Sequence, residues 1–174
     1  MIISVDKAKE EIVFNGWTDA KIKRKLNAIE ETIRKYTNNN FQDRDYRRTA
    51  DIVGGSFYVE ALTPFEVDDT VMISESKLNK GLFTVQTVDD ADFTVQETVK
   101  DEKDVLVTKV VYPEAVIDCC IELLEWEVKH RDKIGIKSET LSRHSVTYED
   151  SSTMFMGYPV GILNGLKLYK KARF

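Results

Sequence analysis

The sequence predicts an α+β fold: a four-helix core formed by residues 1–41 and 113–174, with a small antiparallel β-barrel-like domain inserted at residues 42–112. Apolar residues in the two outer parts recur every three or four positions, as on one helix face, whereas those in the middle part alternate, as in a half-buried strand. The middle part also carries 15 acidic and 8 basic side chains, so it differs from its flanks in charge. With 174 residues, the chain is long enough for a compact domain with an insert.

Two helices are predicted before the insert. Ser4 can cap a short first helix, and Asn15-Gly16 can end it. A longer helix begins after Thr18, because its apolar residues then step by four and three along one face. These residues are Ile22, Leu26, Ile29, Ile33 and Tyr36. The run at residues 37–40 is interpreted as the end of this helix.

Five strands are predicted in the middle part, at residues 56–62, 70–74, 82–88, 93–98 and 105–111. Turn-forming aspartates and Gly81 separate them. Because closure removes strand edges that could pair with other chains, this many short strands predict a small barrel or a strongly curled sheet.

The stretch before these strands is interpreted as a solvated linker. It contains Arg44, Tyr46, Arg47 and Arg48, a pattern typical of nucleic-acid contacts, but interleaved aspartates cancel most of its positive field. The following Gly54-Gly55-Ser56 lacks the spacing and the lysine of a phosphate-binding loop, so it is interpreted as a hinge into the barrel.

The chain after residue 112 is predicted to contain two more helices and one strand. Pro113 suits a first helical position, and apolar residues then cover two faces up to Gly135, which predicts the central buried helix. A strand is expected at residues 142–148. The last helix opens at Pro159 and is predicted to turn four side chains inward, namely Ile162, Leu163, Leu166 and Tyr169.

The sequence offers little catalytic or metal-binding chemistry. His130 and His144 are the only imidazoles, and neither is accompanied by a recognisable nucleophile, acid–base pair or ligand spacing. Asp89, Asp90 and Asp92 lack the later residues of a calcium loop and are interpreted as a hairpin turn. The sequence therefore predicts no enzyme, no cofactor and no metal. An enzyme assembled from scattered carboxylates stays an open alternative.

Composition bears on the environment and partners of the chain. Cys119 and Cys120 are adjacent in an apolar run and are interpreted as small buried residues of a protein folded in a reducing cytoplasm. The net charge of −5 disfavours strong attraction to DNA or to an anionic membrane. No signal peptide and no membrane-spanning stretch is expected.

The order of the outer elements carries a resemblance to a known family. A short helix precedes a long one ending Lys35-Tyr36-Thr37, a central helix begins Pro113-Glu114-Ala115-Val116, and Ser145-Val146-Thr147-Tyr148 leads to Tyr158-Pro159 and Ile162-Leu163. This order resembles the tailed-phage head-tail connector family, also called head completion or adaptor proteins. The smallest members have a short connection where this chain has residues 42–112, so the insert is a departure from the family pattern.

The resemblance implies a structural virion protein of the phage neck, assembled in the host cytoplasm. Such a subunit forms a ring beneath the portal protein, with twelve-fold symmetry expected, and can be monomeric when free. It docks a stopper or tail completion protein, while DNA passes through without specific binding. By analogy, the C-terminal arm contacts the portal, with Tyr169 and Phe174 as apolar anchors and the basic residues as partners of carboxylates. The arm residues are Lys167, Leu168, Tyr169, Lys170, Lys171, Arg173 and Phe174.

Two alternatives stay open at this point. The arm can instead be a frayed, solvated helix end. The whole protein can instead be a binding module, whose small barrel holds nucleic acid or a peptide while its helices form a dimerisation core.

Overall fold

The computed structural model describes residues 1–60, 62–130, 138–141, 144–147 and 154–172. The chain divides into two compact units. One consists of Met1 and Asn40–Tyr112, and the other of Ile2–Asn39 and Pro113–Phe174. Apart from Met1, the first unit is therefore one continuous insertion in the sequence of the second.

The first unit is a closed antiparallel barrel of six strands. They are β1 (Gln42–Val53), β2 (Ser56–Val59), β3 (Thr70–Ser74), β4 (Gly81–Val88), β5 (Asp92–Val95) and β6 (Glu102–Val110). Their order around the barrel is β1-β2-β5-β4-β3-β6. Strands β3, β4 and β5 are consecutive neighbours and β6 returns beside β3, which is a Greek key. Closure pairs every strand on both sides.

Strand β1 occupies the stretch that was interpreted as a linker, so that interpretation is wrong. Only Ala50 and Ile52 of this strand are buried. The strand is held by backbone pairing with β2 on one side and β6 on the other. Its ladder with β6 is irregular between Asp43 and Arg47, and residues 44–46 stand outside the register. Because strand formation depends on neighbouring strands, a sequence without apolar alternation can still complete a barrel.

Apolar side chains fill the inside of the barrel. Phe57 and Phe93 stack with ring centroids 4.7 Å apart, and Phe65 meets Phe93 edge-on at 5.1 Å. The alternating apolar face predicted from the sequence is the inner face of the barrel. The other buried residues of this core are Ala50, Ile52, Val59, Val71, Ile73, Val85, Val95, Val105 and Val107.

The predicted glycine hinge is a tight hairpin turn. Val53 pairs with Ser56, so Gly54 and Gly55 form a two-residue connection between β1 and β2. Their φ angles are 60° and 92°. Two positive φ values match the turn type that fits the twist of a β-hairpin, and glycine reaches them without steric cost.

Glu102, at the start of β6, organises the connection between β3 and β4. Its carboxylate accepts hydrogen bonds from Ser76 Oγ at 2.6 Å, from Lys77 N at 2.6 Å and from Asn79 Nδ2 at 3.0 Å. The hydrogen bond from the Ser76 hydroxyl, followed by that from the Lys77 amide, lowers the pKa of Glu102. The ionised carboxylate is therefore the form that these donors stabilise.

The second unit begins with two capped helices, α1 (Val5–Glu11) and α2 (Asp19–Thr37). Ser4 Oγ accepts from the Lys7 amide and Thr18 Oγ1 from the Lys21 amide, which satisfies donors that the first helical turn leaves unpaired. The predicted apolar face of α2 is buried through Ile33, whereas Tyr36 is half-buried. Helix α2 packs against α1 and against the third helix of this unit, α3 (Glu114–His130).

The part of the chain after α3 contains short elements. They are β7 (Ser138–Leu141), β8 (His144–Thr147), β9 (Met154–Phe155), β10 (Tyr158–Pro159), α4 (Val160–Leu163) and a 3-10 helix (Asn164–Tyr169). Strand β7 pairs with β8, and β9 with β10. The predicted end of the third helix at Gly135 lies outside the described residues. Within the described ranges, no helix has both the length and the apolar character that a bilayer crossing requires.

The predicted fold class is wrong. The second unit is not a four-helix core, because α1 has seven residues and the predicted last helix is a single α-turn followed by a 3-10 helix. Two long helices, α2 and α3, and two short hairpins take the place of that core. The first unit is not a small barrel-like insert of five strands but a complete six-stranded barrel with its own core. The periodicity in the sequence identified helical faces without fixing how far each helix extends.

Candidate functional site

The C-terminal segment, residues 167–172, is an ordered part of the second unit. It begins inside the 3-10 helix, which contacts both α2 and α3. Leu166, just before it, is fully buried, whereas Leu168 is 93% exposed. The Leu168 side chain therefore projects into solvent only two residues after Leu166, whose side chain is fixed in the core.

Hydrogen bonds from the end of α2 hold the backbone of this segment. The Lys171 amide donates to the Thr37 carbonyl at 2.8 Å. Asn38 Nδ2 donates to the carbonyls of Lys171, at 3.2 Å, and of Ala172, at 3.1 Å. Asn39 Nδ2 donates to the Tyr169 carbonyl at 3.2 Å. For residues 167–172, the alternative interpretation of the arm as a frayed, solvated helix end is therefore wrong.

A cation–π contact adds to this attachment. Lys170 Nζ lies 3.8 Å from the centre of the Tyr36 ring. That ring also meets Phe155 edge-on, with centroids 5.3 Å apart. Lys170 therefore contacts α2, and its charge is partly directed toward an aromatic face of the same unit.

The predicted arm residues divide into three groups. Lys167, Leu168 and Lys171 are exposed, so they are available for contact with another protein. Tyr169 is half-buried and Lys170 is engaged with Tyr36. The remaining two predicted residues, Arg173 and Phe174, lie outside the described residues. The structure therefore offers Leu168, rather than Tyr169, as the exposed apolar side chain.

Sequence reasoning missed the residues that hold the segment. Thr37, Asn38 and Asn39 were interpreted as a helix end, and Asn38 does end α2 in the left-handed conformation, with a φ of 49°. The clustering of two amide side chains at that end was the available signal. It could not identify the acceptor carbonyls, because these lie 130 or more residues further along the chain.

A second group that the sequence did not reveal is a buried polar network between helices. Glu127 on α3 is 1% exposed. Its carboxylate accepts a hydrogen bond from Lys25 Nζ on α2 at 2.9 Å and another from the Tyr158 hydroxyl on β10 at 2.7 Å. The Trp126 ring meets the Tyr158 ring edge-on at 5.8 Å. This network joins three elements of the second unit and is enclosed, which suits a structural role better than a contact with a partner.

Two of the three arginines of β1 form hydrogen bonds within the barrel unit, and the third, Arg44, is exposed. Arg47 Nε donates to Thr108 Oγ1 at 3.2 Å, and Arg48 donates to the Arg47 carbonyl at 2.8 Å. The neighbouring Lys109 forms an ion pair of 2.7 Å with Asp69. Lys109 is thereby paired with a carboxylate, whereas the acceptors of Arg47 and Arg48 are neutral, so these hydrogen bonds orient the two arginines without neutralising their charge.

An acidic groove of about 650 Å³ lies between the β2–β3 connection and the β4–β5 turn. Leu62, which is 73% exposed, and the aspartates Asp89, Asp90 and Asp92 line it. The Asp89 amide donates to the Asp92 carbonyl at 2.8 Å, as in the predicted hairpin turn. Among the residues that the structure describes, no group of three or more His, Cys, Asp or Glu side chains is placed to hold a metal ion.

The histidines and cysteines are placed as follows. His130 is exposed at the end of α3, and His144 begins β8. Cys119 and Cys120 are free and buried, which confirms their interpretation as buried residues. Burial raises the pKa of Cys119 to about 12 and also raises that of Cys120, so both thiols stay protonated at neutral pH.

Comparison of the sequence with known protein families and with curated proteins finds no match. The ordered, exposed part of the C-terminal segment is the feature best suited to contact with another protein.

Proposed function

We propose that this protein is a structural, non-catalytic subunit of a tailed-phage neck, a head-tail connector. In this role it forms a ring beneath the portal protein and docks a stopper or tail completion protein. DNA passes through the ring without specific binding, and no metal or cofactor takes part. The resemblance in the order of the outer elements supports this function.

The observation that carries the proposal is the exposure of Leu168 on a segment whose backbone is held in place. A large apolar side chain that is 93% exposed gains free energy when a partner covers it. Full burial of a leucine is worth about 1.5–3 kcal/mol. Because hydrogen bonds to α2 already order this segment, docking costs less conformational entropy than it would for a free tail.

The charges around Leu168 favour an acidic partner surface. Lys167 and Lys171 are exposed, and neither forms an ion pair within the described part of the chain. Lysines at the rim of a contact accelerate association and fix its register more than they add affinity. The portal surface that receives the segment is therefore proposed to combine an apolar depression with carboxylates.

The test is binding to the purified portal ring encoded in the same genome. Leu168→Ser is expected to weaken portal binding about tenfold or more, because the partner then covers a hydroxyl in place of an isobutyl group. Lys171→Glu is expected to slow association and to reduce its dependence on salt. Sedimentation with the portal and surface plasmon resonance measure these effects.

Leu78→Ser is the matched control. Leu78 is also an exposed leucine, at 56%, but it belongs to the barrel unit. Its substitution is expected to leave portal binding unchanged. Equal affinities for Leu168→Ser, Leu78→Ser and the unmodified chain would contradict the assignment of the C-terminal segment as the portal contact.

A further inference from the structure

We infer that Asn38 and Asn39 are positioning residues, which form an amide clamp at the end of α2 and set the conformation in which residues 167–172 meet the portal. This inference rests on the proposed function and deepens it. The clamp is argued to act through the backbone of the C-terminal segment, and neither asparagine is proposed to contact the portal.

The conformation of Asn38 shows why an asparagine suits this position. Its φ of 49° is left-handed, a conformation that glycine adopts most easily at a helix end and asparagine tolerates. Glycine would end the helix equally well but has no side chain. The Asn38 amide group in addition donates to the carbonyls of Lys171 and Ala172. The backbone of Asn38 thus ends α2, and its side chain attaches the C-terminal segment.

Asn39 and Thr37 complete the attachment. Asn39 is 8% exposed, and its amide nitrogen donates to the Tyr169 carbonyl. The Thr37 carbonyl, one of the last in α2 and without an intrahelical donor, accepts from the Lys171 amide. Three consecutive residues at the helix end therefore hold four backbone groups of the C-terminal segment.

The clamp constrains Leu168 from its C-terminal side. Leu166 is buried in the second unit, two residues before Leu168. The carbonyl of Tyr169, the residue that follows Leu168, is held by Asn39. With Leu166 buried before it and the Tyr169 carbonyl held after it, the backbone at Leu168 is constrained on both sides before any partner arrives. Loss of the clamp removes the constraint on the C-terminal side of Leu168 and leaves the one provided by the burial of Leu166.

The experiment uses the full chain with Asn38→Gly and Asn39→Ala, singly and together. Asn38→Gly retains a residue that adopts the left-handed conformation, so it removes the amide without disturbing the end of α2. Asn27→Ala is the matched control, because Asn27 is exposed on α2 and its side chain makes no hydrogen bond within the described residues. Amide hydrogen exchange and binding to the purified portal ring are measured for every variant.

The expected result has two parts. The Lys171 amide loses protection from exchange in the double variant, whereas the amides of Ile29 and Ile33 within α2 keep theirs. Portal affinity falls about tenfold, because the segment must then be ordered on binding. Both quantities are expected to stay unchanged in Asn27→Ala. The amide of Lys171 is informative because it donates to Thr37 and not to a substituted side chain.

Two outcomes overturn the inference. Unchanged protection of Lys171 in the double variant shows that the asparagines do not hold the segment. Lost protection with unchanged portal affinity shows that they hold it without affecting docking. If the unmodified chain itself does not bind the portal, the proposed function and the role of the clamp in docking both fail. The exchange data then still decide whether the asparagines hold the segment.

Discussion

At the scale of single residues, Glu127 is a carboxylate that is 1% exposed inside the second unit. Its carboxylate is enclosed between α2, α3 and β10, and it accepts from both Lys25 and Tyr158. An ionised group is stable in such a place only when hydrogen bonds and opposite charge replace water. The network therefore holds these three elements together. Removal of any one of its members leaves a polar group inside the second unit without its partner.

Glu127→Ala is expected to lower the free energy of unfolding by about 2–3 kcal/mol, because it removes the acceptor of a half-buried ammonium and of a buried hydroxyl. Urea denaturation measures the loss. Glu125→Ala is the control on the same helix, since Glu125 forms an exposed pair with Lys129 and should cost less than about 1 kcal/mol. Similar losses for the two variants would show that the network adds no more stability than the exposed Glu125–Lys129 pair.

At the scale of elements, the barrel depends on a strand and a turn whose local sequences are atypical. Strand β1 has charged and polar residues at most positions, and it is fixed by its pairing with β2 and β6. The turn into β2 requires two positive φ angles in succession. A residue with a side chain at either position has to adopt a conformation that L-amino acids rarely occupy.

Gly55→Ala is therefore expected to destabilise the protein by about 1–2 kcal/mol, because alanine is strained at a φ of 92°. The cost arises from the backbone, since no atom lies within 4 Å of the added methyl group. Gly161→Ala in α4 is the control: its methyl group also meets open space, without a positive φ. Chemical denaturation should show little change for it, and equal losses in both variants would rule out the backbone explanation.

In the last two helical elements, α4 and the 3-10 helix, the spacing of apolar residues predicts burial better than it predicts helix type. Leu163 and Leu166 are buried as the spacing of apolar residues predicts. That spacing is nevertheless satisfied by one α-turn followed by a 3-10 helix, because residues three apart share a face in both. The pattern therefore identified two buried side chains, whereas Ile162 and Tyr169, which it also predicts to face inward, are only half-buried. It did not distinguish an α-turn from a 3-10 helix.

At the scale of the whole molecule, the proposed connector function predicts how copies associate. A ring of identical subunits uses two different surfaces of each subunit, and a portal ring can supply the template that brings them together. The free chain is expected to be monomeric at micromolar concentration and to gather in several copies on the portal. Mass photometry and analytical ultracentrifugation distinguish these states. Stable rings without the portal, or a single copy bound per portal ring, would contradict this expectation.

The sequence by itself determined the elements whose evidence is local. The capped starts of α1 and α2, the buried face of α2 through Ile33, the alternating inner face of the barrel and the bounds of β3 could all be predicted. Each depends on residues a few positions apart, whose spacing follows directly from helix or strand geometry.

Only the tertiary structure decided the features that join distant residues. Strand β1 exists because β2 and β6 pair with it, and the Glu127 network joins residues up to 102 positions apart. The attachment of the C-terminal segment likewise joins Asn38 and Asn39 to carbonyls 130 or more residues further along the chain. Pairing, burial and hydrogen bonding across such separations arise from the folded packing, and no periodicity in the sequence encodes which partners will meet.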